Sequence, residues 1–199
     1  VAASAVSVNA ADATTATTAN ATNSNQDYSH IDLNGTVTAQ NNVANVNPSF
    51  SLTGANGSVK GNLTGSITAT FNGTSATANL FNGANGHANV KITAVKDNSV
   101  IYDGTASTVV NNLNNLVAGD SYNVVINNVG INFGANNAGK EVTLAMPKNS
   151  PFSFDSASLP DGWTASTTTD SKVTAIKGKL DNNGTVNKLV INGTLSALD

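Results

Sequence analysis

His30 and His87 are the only imidazoles in the chain, and cysteine is absent. A bound zinc takes three or four His, Cys or carboxylate ligands, so two lone histidines do not make such a site. Asp97 and Asp103 flank a short apolar segment, and two carboxylates beside turns are usually solvated. Asp181-Asn182-Asn183-Gly184 begins like a calcium loop. The repeated acidic ligands and the closing glutamate do not follow, so it reads as a turn. Glu141 is the sole glutamate. A Glu/Glu pair for glycoside hydrolysis therefore cannot form, and nothing points to an Asp pair. G-x-S-x-G, H-E-x-x-H, G-x-G-x-x-G and the phosphate-cradling Walker loop are all missing. Leu159-Pro160-Asp161-Gly162 approaches a sortase signal but carries Gly where Thr is needed. Asn-x-Ser/Thr triplets at Asn34, Asn56, Asn62, Asn72, Asn183 and Asn192 follow from an Asn/Gly/Thr-rich composition, and most sit at turns. No catalytic, cofactor-binding or metal-ligating residue is assigned, no cofactor is implied, and the chain is read as a non-enzyme.

The elements that would have to position any chemistry are built for something else. Gly61 to Leu80, GNLTGSITATFNGTSATANL, reads as a β-hairpin closed by Asn72-Gly73, the pair that best tolerates the left-handed backbone of a two-residue loop. Strict pairing sets Phe71 against Thr74, Ala69 against Ala76, Ile67 against Ala78 and Gly65 against Leu80. One face is then mostly apolar, and the other carries Thr, Ser and Asn. Period-two alternation of this kind marks a sheet with one buried side.

Charged residues are 11% of the chain, against about 25% in typical soluble proteins. Such a neutral, polar surface repels copies of itself only weakly. Every cation is a lysine and the net charge is −3, which leaves no basic footprint for nucleic acid and no polybasic stretch for anionic lipid. Without cysteine, the fold must stand on packing and sheet hydrogen bonds. Aromatics are 5%, so the core must come mainly from Val, Leu, Ile and Ala.

In chain order, Val1 to Ala11 reads as a signal-peptide remnant with a small-x-small site at Val8-Asn9-Ala10, too short to span a bilayer. Asp12 to Gln26 has no apolar residue larger than alanine and is expected to be a disordered leader. Residues 1–27 thus fall outside the fold, and 28–199 form the β-rich part, as one unit or two small subdomains. Ile31 to Val37 alternates as a strand, and Phe50 and Leu52 restart the pattern. His87 to Val95 presents Val90, Ile92 and Ala94 to one side. Val100 to Tyr102, Tyr122 to Phe133 and Glu141 to Met146 follow, the last stopped by Pro147 and Pro151. Trp163 opens a further short strand as a partly buried anchor. A last hairpin is expected to pair Val173–Leu180 with Val186–Leu195. One short helix is expected near 107–117, because Val109, Leu113, Leu116 and Val117 recur at helical spacing, with Ser107 as cap and Gly119 as stop. Short strands with frequent turns point to a mainly β fold, an antiparallel sandwich or barrel-like domain built from hairpins.

The leader ending SAVSVNAA, GNLTGSITATFNG at 61–73 with TANL at 77–80, LVAGDSYNVVINNVGINFGANNAGKEVTL at 116–144 and IKGKLDNNGTVNKLVI at 176–191 together resemble the surface-layer (S-layer) proteins of lactobacilli. These segments cover about half the chain, in the order of that family's amino-terminal region. The resemblance implies a secreted structural subunit at the extracellular cell surface. It implies an amino-terminal region that mediates non-covalent self-assembly, with other copies of itself and related subunits as partners. Wall polymers would be held only by a basic carboxy-terminal region that this chain lacks. Neither nucleic acid nor membrane insertion is implied. The alternative is a secreted adhesin-like module for host glycan or matrix, which clustered exposed aromatics or a bound calcium would favour.

Overall fold

A computed structural model of the chain describes residues 48–53, 61–71, 73–81, 86–106 and 110–198. The expected leader, the strand at Ile31–Val37 and the turn at Asn56-Gly57 lie outside the described residues. The strands are β1 (Phe50–Thr53), β2 (Gly61–Phe71), β3 (Thr74–Asn79), β4 (Gly86–Ala94), β5 (Val100–Ala106) and β6 (Val110–Leu113). They continue with β7 (Ser121–Asn132), β8 (Glu141–Ala145), β9 (Ser153–Phe154), β10 (Thr164–Thr169), β11 (Lys172–Lys179) and β12 (Thr185–Ser196). All twelve belong to one antiparallel sheet, ordered β1-β2-β8-β11-β9-β12-β7-β4-β5, with β3 and β6 also on β2 and β10 on β11.

β2 is the hub. Its residues alternate without a break, with Gly61, Leu63, Gly65, Ile67, Ala69 and Phe71 buried and the polar residues between them half-buried. Leu63 lies between Leu52 of β1 and Val110 of β6, and Ala69 between Leu144 of β8 and Ala76 of β3. Both edges of β2 are therefore occupied along most of its length. The central hairpin has the register read from sequence: Phe71 faces Thr74, Ala69 faces Ala76 and Ile67 faces Ala78. The Leu80 amide donates to the Gly65 carbonyl at 3.0 Å. Gly73 has φ +81, as the loop requires; Asn72 is not among the described residues.

Two expectations are corrected. The first is the short helix near 107–117. In its described part, Val110–Leu113 is strand β6, with Gly61 opposite Leu113. Four asparagines made the helix weak, and the amino-terminal half of β2 offered an open ladder. Strand pairing buries Leu113 just as well, so tertiary hydrogen bonds override the helical spacing. The second is the last hairpin. β11 and β12 diverge, and β9 lies between them, with Phe154 opposite both Val173 and Ile191.

The physical reason for that divergence lies in the loops. The 181–184 turn is fastened to the 134–140 loop: the Phe133 amide donates to the Gly184 carbonyl at 2.8 Å and the Leu180 amide to the Lys140 carbonyl at 2.9 Å. β7 pairs with β12 while β8 pairs with β11. Two open arches are thus stacked, and the sheet curls through them. Its concave side holds the core, including Ile67, Phe71, Leu80, Ile92, Tyr122, Ile126, Phe133, Leu144 and Ile191. Phe71 and Phe133 meet edge to face, and Phe50 stacks on Phe152. The antiparallel, curled architecture is the sandwich or barrel-like form expected from sequence.

Candidate interaction surface

The residues with chemical capacity are scattered over turns and outer faces. Asp97 is a turn cap: its Oδ1 accepts from the Ser99 amide at 3.0 Å. Hydrogen bonding from Ser99 holds its carboxyl below the usual value. Asp103 stands opposite Lys91 across the β4–β5 pair. Asp181 closes its own turn, accepting from the amides of Asn183 and Thr185, each at 2.9 Å, and from the Thr185 hydroxyl. That hydroxyl, then the amides, lower its pKa. Both carboxylate oxygens are thereby used within the loop. Glu141 is exposed on β8 opposite Lys179. His87 is exposed, opposite Gly130 on the β4–β7 pair, and His30 is not among the described residues. The segment 159–162 is a turn, with the Trp163 amide donating to the Pro160 carbonyl at 3.0 Å. Among the described residues, no three His, Asp or Glu side chains come together.

Two open grooves lie on the outside of the sheet. One, about 500 Å³, runs past Thr70, Lys140, Glu141, Thr143 and Lys177. The other, about 460 Å³, runs past Thr93, Asn123, Val125, Lys172 and Asn192. Neither sets a nucleophile beside a base. Of the six phenylalanines, five are buried and Phe50 is packed against the core, and Tyr122 and Trp163 are buried too. The described residues therefore show no aromatic platform of the kind a sugar-binding module uses.

Among the described residues, the most exposed regular element is β10. Its sequence, TASTTT, has no apolar alternation and so no face to bury. Threonine favours extended backbone, and a strand forms on that propensity plus its ladder with β11. All six residues are exposed. The hairpin turns at Asp170 and Ser171, with φ +52 and +66, as a two-residue loop requires. At its other end, Trp163 is buried. Soluble proteins usually blunt such an edge with lysine, proline or a short length. β10 carries none of those charges and no proline; its register shifts at Ala165–Thr168 are the only such device. The sequence predicts a strand after Trp163 but does not single out its edge. The signal is present in the run of hydroxyl residues without a large apolar partner.

The family described as the SlpA N-terminal domain matches residues 2–194. An S-layer protein of Lactobacillus helveticus is 38% identical over 146 residues, which are 72% of this chain and 28% of that relative. The aligned region thus spans little more than a quarter of the relative's length.

Proposed function

The chain belongs to the SlpA N-terminal domain family of S-layer proteins, and from that premise we propose that it is the self-assembly region of a surface-layer subunit. It works outside the cell, as a tile rather than as a catalyst, and its neighbours are other copies of itself and related subunits. Residues 1–27 serve as secretion remnant and leader, and 28–199 as the assembling part.

The observation that carries this reading is the β10 edge. Its six residues are exposed and uncharged, and among the described residues it pairs with β11 alone, which leaves a ladder edge of the kind soluble monomers hide and an assembling protein can use. Backbone hydrogen bonds to a neighbour's strand would supply directional contact, and the low surface charge would let copies approach. Light scattering across a concentration series tests it. Growth of large species with rising concentration, reversed by dilution, is the expected result. A particle that stays monomeric at every concentration, alone and with a related subunit, would refute the reading.

A further inference from the structure

We propose that the Asn183-Gly184 bond is a latent site of self-modification, and that Asp181 is the group that holds it shut. The chemistry is closure of a succinimide. The Gly184 backbone nitrogen loses its proton and attacks the Asn183 carboxamide carbon. A new C–N bond forms, the bond from that carbon to Nδ2 breaks, and ammonia leaves with the proton from Gly184. Water then opens the ring at either carbonyl, giving an aspartyl or an isoaspartyl residue. Asparagine before glycine reacts most readily, because no Cβ obstructs the attacking nitrogen.

Asparagine precedes glycine seven times in the chain. Two of these pairs lie wholly within the described residues, Asn183-Gly184 and Asn192-Gly193. They differ in what must move before the ring can close. Asn192-Gly193 lies inside β12, with Asn192 opposite both Val125 and Ser153 and Gly193 opposite Val124. Strands flank it on both sides, so its backbone turns only when the sheet opens. Asn183-Gly184 lies in a turn instead. Asn183 is exposed, so water reaches its carboxamide, while Gly184 is buried. Turns open locally at lower free energy than a central strand does. A group within the turn must therefore hold the bond.

Three consecutive amides point at Asp181. Those of Asn183 and Thr185 donate to its Oδ1, each at 2.9 Å. That of Gly184 donates to its backbone carbonyl at 3.0 Å. The Thr185 hydroxyl donates to Oδ2. The attacking nitrogen is thus engaged in a hydrogen bond that keeps its proton in place. The adjoining backbone is fixed as well: the Gly184 carbonyl accepts from the Phe133 amide at 2.8 Å, and the Asp181 amide donates to the Thr185 carbonyl at 3.0 Å. Gly184 also lies against the Gly134 carbonyl, where a Cβ would overlap it. To close the ring, the nitrogen must swing under the carboxamide carbon and abandon these bonds. The Asp181 carboxylate adds an electrostatic bar, since its negative charge opposes an amide anion beside it. Modification would set a second carboxylate next to Asp181. The isoaspartyl form would also lengthen the backbone of the turn that is fastened to the 134–140 loop.

The test incubates the parent, Asp181→Ala and the parent in denaturing urea in mildly alkaline buffer. Peptide mass mapping follows the change from amide to acid at Asn183 and Asn192. The folded parent is expected to keep both residues, and urea to expose both. In Asp181→Ala, Asn183 should convert about tenfold faster than in the folded parent, the effect of losing one charge-assisted hydrogen bond. Asn192 should not change, which separates opening of the turn from unfolding of the sheet. If Asn183 converts as fast in the folded parent as in urea, the bond is not held. If Asp181→Ala, folded by circular dichroism, leaves that rate unchanged or raises Asn192 equally, Asp181 is not the latch. Where Asp181→Ala does not fold, Asp181→Asn makes the same comparison, since it keeps the shape and an acceptor oxygen but removes the charge. It should raise Asn183 conversion severalfold, and a rate equal to the parent's overturns the proposal. None of these readouts depends on association, so the assembly reading stands or falls separately.

Discussion

Trp163 lies against Gly178, so close that a Cβ on that glycine would sit 2.2 Å from the indole ring. The contact joins the start of β10 to the body of the sheet. Gly178 pairs with Val142 on β8, so its backbone cannot retreat without breaking the ladder. Gly178→Ala should therefore displace the indole and destabilise the fold by about 1–3 kcal/mol, as overpacked positions do. Trp163 is the sole tryptophan, so a red shift in its emission alongside a lower urea midpoint would report both effects. Unchanged emission would show that the ring does not rest there.

The central hairpin gives a test of backbone strain free of packing. Gly73 has φ +81, and a Cβ added there would meet no atom within 4 Å. Gly73→Val should cost about 1 kcal/mol or more, because a β-branched residue resists left-handed backbone. Thermal melting measures it; an unshifted midpoint would mean the turn is not built on that conformation.

Acid stability should depend on Asp181. The Thr185 hydroxyl and the amides of Thr185 and Asn183 favour its charged form, so its folded pKa lies below the ordinary 3.8. The folded state thus binds the proton less readily than the unfolded state. The stabilisation is present above the unfolded value and is lost as pH falls through the folded one. Urea midpoints measured from pH 6 to about pH 2 should drop less steeply for Asp181→Ala than for the parent. Lys96 behaves oppositely: its hydrogen bond to Asp120 raises its pKa above 10.5. That contribution is present below 10.5 and is lost as pH rises through the raised value.

The Tyr122 hydroxyl accepts from the Val117 amide at 2.8 Å, and Tyr122 itself is buried. Tyr122→Phe keeps the ring and removes the acceptor, leaving a partly buried N–H without its partner. A loss of about 1–2 kcal/mol is expected. Amide exchange at Val117 should quicken in the same variant; unaltered exchange would show that the 114–119 segment is held by other contacts.

On β10, Ser166→Lys and Thr168→Lys should leave the melting midpoint almost unmoved, since exposed substitutions usually stay within about 0.5 kcal/mol. Association should weaken, because a lysine on an open edge opposes strand addition. Equal scattering from parent and variants would remove β10 from the assembly contacts.

Local order was legible in the sequence wherever alternation was strong. The register of β2 with β3 followed from Ile67, Ala69 and Phe71 opposite Ala78, Ala76 and Thr74, because a one-residue slip would have turned every apolar side chain outward. The inward positions of Val90, Ile92, Val142 and Leu144 followed for the same reason. What the sequence could not decide was which strand finds which distant partner. Residues 107–117 carried a helical spacing, yet an open stretch of β2 drew Val110–Leu113 into the sheet. Val173–Leu180 and Val186–Leu195 looked like a hairpin, yet Phe154 stands between Val173 and Ile191 because each strand had a longer partner elsewhere. Side-chain alternation encodes which face is buried, whereas hydrogen-bond edges are chemically alike. Only the closing of the whole sheet selects among those edges, and the same closing left β10 open.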